Sequence, residues 1–345
     1  MAEAIDAARL EQWMRRSVAG YRGPLTVEPI AGGQSNPTYR LSAPSGRYVL
    51  RRKPGGKLLP SAHAVDREYR VMAALAESDV PVPRTLALCA DESVIGTAFY
   101  VMAHVDGRVF YDPRLPGLTK AERAAMFDDM NRVIAALHRV DYTAVGLGDF
   151  GKPGSYFARQ IARWSRQYKA SETERIEAMD RLIDWLPANI PPPGPRGEET
   201  AIVHGDYRMD NLIFHPVEPR VVAVVDWELS TLGHPLGDFA YHVMTWRFTP
   251  ELFRGLAGVD CAALGIPEER DYIAAYCRRT GRERIEHWDF YMAFTMFRMA
   301  AIFQGIMGRV RDGTATDARA REAGAKARPV AELAWRQAER VLRAA

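Results

Sequence analysis

Cysteine is scarce in this chain: three in 345 residues, Cys89, Cys261 and Cys277, far apart and in no C-x-x-C spacing. That excludes a disulfide framework and a cysteine zinc site, and it makes a reducing cytoplasm the expected location. Long apolar runs are missing too. The opening MAEAIDAARLEQWM carries acids and no apolar core of leader length, so no targeting segment is expected there. The most apolar stretch, 291–303, is short and broken by Arg298, and is not expected to span a bilayer. A strong charge of one sign is absent as well. The net charge is +3, which does not support nucleic-acid binding, since that needs a clustered basic face. No internal repeat is visible.

What is present is the composition of a globular protein, 47% hydrophobic and 26% charged, long enough for two cores. Residues 5–18 have the pattern of an amphipathic helix. Short β-favouring runs follow at 25–30, 38–41 and 48–50, separated by Gly, Pro, Ser and Asn. Val65, Tyr69, Met72 and Leu75, three or four apart, predict a helix over 63–77. Strands fit 84–89 and 98–103. After Asp106-Gly107 the pattern turns helical, over 119–139, 154–170 and 172–187. Two strands at 201–203 and 221–225 flank a polar loop, and most of 235–345 has helical character. The expected class is α+β with a β-rich front, 1–104, and a mainly helical back, 105–345.

The densest chemical signal is IVHGDYRMDNLIFHPVEPRVVAVVDWE, 202–228. Asp206 stands in a loop, Asn211 lies five residues on, and Asp226 ends an apolar strand. A carboxylate in that last position is costly to bury alone, so it is solvated, paired or a metal ligand. Asp and Asn offer the hard oxygens that magnesium takes.

The H-x-D with Asn at +5, followed by a strand pair ending in Asp, resembles the catalytic loop of kinases. Gly205, the Asp226-Trp227-Glu228 segment and GHPLGDFAYHV resemble the aminoglycoside phosphotransferase family, most of all the branch fused ahead of acyl-CoA dehydrogenases. This implies a two-lobed protein-kinase-like fold, with a β-rich N-lobe and a mainly helical C-lobe, that uses ATP and magnesium. Carried over from the resemblance, Asp206 is the catalytic base, while Asn211, Asp226 and, as a weaker candidate, Glu228 hold metal. The turn Gly32-Gly33-Gln34-Ser35-Asn36 faces the phosphates. Arg51 contacts phosphate in place of the usual Lys, with Lys53 as the alternative. Glu68 pairs with that cation, and Met102 opens the segment near adenine. Asp238 is expected to cap its helix or to support the catalytic loop.

The implied partners are a nucleotide and a small-molecule alcohol, with neither nucleic acid nor membrane. Residues 305–345 hold nine Lys/Arg and five Asp/Glu, which argues against a polycationic acceptor and for an anionic or neutral one. A hydroxyacyl-CoA suits this balance and the dehydrogenase-fused branch. The alternatives are an aminoglycoside-type antibiotic kinase, a nucleotide-binding pseudokinase without turnover, and a metal-dependent hydrolase. The hydrolase reading leaves the Asn at +5 unexplained. Oligomeric state is not encoded in any motif.

Overall fold

The structure is a computed structural model that describes residues 5–30, 36–54, 64–194, 197–315 and 318–344. In chain order the elements are α1 (Ala7–Ser17), β1 (Thr26–Pro29), β2 (Thr38–Ala43), β3 (Gly46–Arg52), α2 (Val65–Leu75), β4 (Thr85–Cys89) and β5 (Phe99–Ala103). Then come α3 (Lys120–Arg139), α4 (Tyr156–Ser171), α5 (Glu177–Ala188), β6 (Ala201–Val203), β7 (Leu212–Phe214), β8 (Val221–Val224) and β9 (Thr231–Gly233). The rest is helical: α6 (Pro235–Val243), α7 (Pro250–Phe253), α8 (Cys261–Leu264), α9 (Glu269–Thr280), α10 (Trp288–Arg311), α11 (Ala320–Gly324) and α12 (Ala327–Ala344). The kinase-like division into a β-sheet front and a helical remainder is as expected.

The chain forms two compact units. The first comprises Met1–Phe110, Val140–Phe150 and Met209–Ser230. Its antiparallel sheet runs in the order β1-β2-β3-β5-β4. Alternation along β3 and β5 sends side chains to two different covers. Leu50, Phe99 and Val101 join the core with Leu10, Trp13 and Met14 of α1, where Trp13 meets Phe99 edge to face at 4.7 Å. Arg51 and Tyr100, paired across the strands, point the other way, toward α2. β7 and β8 form a hairpin in the same unit, with Leu212 opposite Val224.

The second unit comprises Tyr111–Arg139, Gly151–Arg208 and Thr231–Ala345. Here β6 pairs with β9, Val203 opposite Thr231. That pairing holds in register the strand that leads into His204-Gly205-Asp206. α10 is the central helix, buried from Phe290 to Ala301. It corrects one expectation: the apolar stretch belongs to a helix of 24 residues, which by length and composition alone could cross a membrane. In the fold, 78% of its apolar window is buried, Arg298 included, as befits a core helix.

Candidate active site

In the first unit, β3 delivers Arg51 to a group of carboxylates. Its Nε lies 3.1 Å from Glu68 Oε2, one terminal nitrogen 2.5 Å from Asp226 Oδ1, and the same nitrogen 3.5 Å from Glu228 Oε2. Glu68 is 1% exposed. It accepts from Asn36 Nδ2 at 2.7 Å and from the Tyr100 hydroxyl at 3.2 Å. Burial pushes the Glu68 carboxyl up to about 7 against the opposing pull of Arg51. Burial alone would lower Arg51; Glu68 and Asp226 more than offset it, and the guanidinium is held charged.

Asn211 closes a short turn, Met209–Asn211, just before β7, and its carbonyl accepts from Val225 N–H at 3.0 Å. The hairpin therefore sets Asn211 beside the strand end that carries Asp226. Asp226 has φ 69°, ψ 56°, the left-handed conformation that a non-glycine residue enters at a cost. Its side chain is 32% exposed, so the carboxylate is open to solvent on one side. Glu228 follows in the turn Trp227–Leu229. Among the described residues no three His, Cys, Asp or Glu side chains form a metal cage. Two carboxylates and one amide fit magnesium, which completes its shell with phosphate oxygens and water.

Met102 lies within β5, opposite Val49 of β3, and is 8% exposed. Lys53 gives its N–H to the Ala98 carbonyl; the carboxylates go to Arg51. Gly32, Gly33, Gln34 and Ser35 lie outside the described residues.

In the second unit the His204-Gly205-Asp206 loop is held from three sides. Gly205 has φ 82°, which explains glycine between His204 and Asp206. Asp238 in α6 is 2% exposed and takes the N–H groups of His204 and Gly205 on its two oxygens, at 2.8 Å each. Burial works to raise the Asp238 carboxyl, but the His138 ring at 3.3 Å and His204, through its N–H, win and hold it below the usual range. His138 is itself tied to the Tyr276 hydroxyl at 2.7 Å. Thus Asp238 supports the loop, while His234 caps the helix by accepting from the Leu236 N–H.

Asp206 is gripped directly. The Tyr241 hydroxyl donates to its Oδ1 at 2.5 Å, and Arg208 Nε lies 3.0 Å from the same atom. Burial and that carboxylate push the Tyr241 phenol well up, so it stays a donor. Arg298, 6% exposed on α10, donates to the Gly205 carbonyl at 2.6 Å and stacks over the Tyr241 ring, 4.9 Å from its centroid. Tyr241 and Arg298 were not anticipated from the sequence. Two signals existed: Tyr241 lies one helical turn after Asp238, and Arg298 is the single charge in an apolar run.

A sheet-topped first unit with an Arg–Glu pair, joined to a helical unit with a clamped Asp loop, defines the kinase-like phosphotransferase class. A model described as the phosphotransferase enzyme family matches residues 26–288, and the chain belongs to that family. The family is one of phosphotransferases. The chain is 46% identical to acyl-CoA dehydrogenase family member 10 of Mus musculus over 96% of this chain and 31% of that protein. The chain spans less than half the length of the curated relatives it matches. A solved structure of a putative aminoglycoside phosphotransferase from Ralstonia eutropha is 59% identical. It superposes with a TM-score of 0.90 over 98% of this chain and 99% of that one. An aminoglycoside phosphotransferase in ternary complex with ADP and hygromycin B shares the fold, with a TM-score of 0.62 over 95% of this chain and 97% of that one, at 14% identity.

Proposed function

We propose that this enzyme moves the γ-phosphoryl group of ATP onto the hydroxyl of a hydroxyacyl-CoA, with Asp206 as the base. The observation that carries the reading is the grip on Asp206. Tyr241 and Arg208 hold one oxygen, Arg208 also reaches the other at 3.4 Å, and Asp238 clamps the backbone just before it. A carboxylate so fixed can align an alcohol and take its proton as the oxygen–phosphorus bond forms and the bond to ADP breaks. Asn211, Asp226 and Glu228 would hold magnesium, which supplies charge neutralisation of the phosphates. Arg51, fixed by Glu68, meets phosphate oxygens as a planar fork. Met102 lies against adenine. Asn36 contributes by fixing Glu68.

Two features favour the acyl-CoA acceptor. The curated relatives carry acyl-CoA dehydrogenase names, and 305–345 has an excess of Lys and Arg. The test is mass spectrometry of the acceptor after incubation with ATP and Mg²⁺. A gain of one phosphoryl group on hydroxyacyl-CoA, and none on aminoglycosides, is expected. Phosphorylation of aminoglycosides but not of hydroxyacyl-CoA would overturn the choice of acceptor.

A further inference from the structure

Around one phenylalanine in the second unit, three cations converge. Arg208, Arg254 and Lys326 lie 5.7, 5.8 and 5.8 Å from the centroid of the Phe253 ring. They come from three separate places: the catalytic-loop segment, the end of α7 and the turn after α11. Arg254 also lies over Tyr111, a ring that is 63% exposed. Like charges gathered on one ring repel each other. The ring's π face recovers part of that cost, and an anion in contact with them recovers more. Among the described residues Lys326 pairs with Glu322, at the outer limit of 4.0 Å. Arg208 already leans on Asp206.

A second observation points the same way. Arg298, beside the same loop, is 6% exposed, and its Nε–H has no hydrogen-bond partner among the described residues. A buried guanidinium adds positive potential from behind the loop, where the low dielectric carries it further. Arg298 and Arg208 thus both lie at the loop that carries Asp206, and Arg208 also belongs to the Phe253 cluster.

We propose that Arg208, Arg254 and Lys326 around Phe253 form an anion subsite that takes a phosphate group of the acceptor. The inference rests on the phosphotransferase reading only in making Asp206 the reacting end. Guanidinium groups bind phosphate through paired N–H donors, the ammonium adds a point charge, and Phe253 offers an apolar floor for the adjoining chain. The same cluster repels polycationic acceptors, which sets specificity by exclusion as well as by attraction.

The test compares a hydroxyacyl-CoA with the same hydroxyacyl group on pantetheine, which lacks the nucleotide phosphates. Wild-type enzyme is set beside the double variant Arg254→Glu, Lys326→Glu, each checked by thermal melting. The KM for the CoA ester is expected to be at least about tenfold below that for the pantetheine ester, and charge reversal is expected to erase that ratio. Equal KM values in the wild type, or a ratio the folded variant preserves, would overturn the subsite. Calorimetric titration of coenzyme A into the ADP-bound enzyme separates this from the acceptor reading. If neither ester is phosphorylated while coenzyme A binds the wild type at least about tenfold tighter than the variant, the acceptor reading fails and the subsite stands. Coenzyme A binding that is absent or equal in both would overturn it.

Discussion

Asp238 takes two backbone N–H groups on two oxygens, so even an isosteric change has a definite cost. In Asp238→Asn one oxygen becomes an amide that faces an N–H donor, and a buried bond is lost. A loss of about 3 kcal/mol in unfolding free energy is expected, with a fall in kcat, because the loop ahead of Asp206 loosens. Denaturant melts and steady-state kinetics check both; a variant of wild-type stability would contradict the clamp. His242 sets a pH dependence. It is buried, bonded through Nε2 to the Tyr272 hydroxyl at 2.7 Å, and pushed down by burial from 6.5 to about 4. Below pH 6.5 the unfolded chain takes up this proton and the folded one does not. Stability therefore falls as pH drops from 6.5 toward 4, by about 3 kcal/mol for this group. His234, pushed down to about 3 by burial, adds a slope of the same sign. His242→Gln should flatten the first part, read from thermal melting between pH 7 and 4; an unchanged slope would refute it. At this scale the sequence singles out His204, Asp206, Asn211 and Asp226 by a fixed spacing, and the structure ties Asp206 to Tyr241 and Arg208, and Asp226 to Arg51. Tyr241 and Arg298 stand out less, because they reach the loop from α6 and α10, Tyr241 at Asp206 and Arg298 at the Gly205 carbonyl, far along the chain from it.

Among the elements, long periodic segments were legible, as were the short strands β6 and β8, but their pairing partners were not. α1, α2, α3 and the sheet strands fall within a few residues of the patterns that predict them, since each buries one face. β9, three residues long, is invisible in the pattern, because Thr231-Leu232-Gly233 becomes a strand only by pairing with β6. β7 has the same origin in its pairing with β8, although its apolar run was noticeable. α10 outran its apolar stretch because Gln304–Arg311 continue the helix after the hydrophobic signal ends. α1 shows what one element contributes. It lies ahead of the matched family segment, yet Trp13 seals the sheet against Phe99. Trp13→Ala removes a large, nearly buried ring and should lower stability by about 3–5 kcal/mol. Chemical denaturation measures this, and a loss under about 1 kcal/mol would mean that α1 is an ornament on the sheet.

Across the whole molecule, the family and the kinase-like class were legible because the catalytic-loop motif ties chemistry to topology. The contact pattern was not: 209–230 and 140–150 pack with the first unit, although they lie far along the chain. Such grouping follows from tertiary packing, which no local period records. The central claim is that Asp206 takes the proton of an alcohol during phosphoryl transfer from ATP. The most direct test is acceptor-dependent ATP turnover with Mg²⁺ by Asp206→Asn beside the wild type, both verified as folded and nucleotide-binding. The account predicts a fall in kcat of at least about a hundredfold with ATP binding kept; a folded Asp206→Asn enzyme that turns over at the wild-type rate would contradict it.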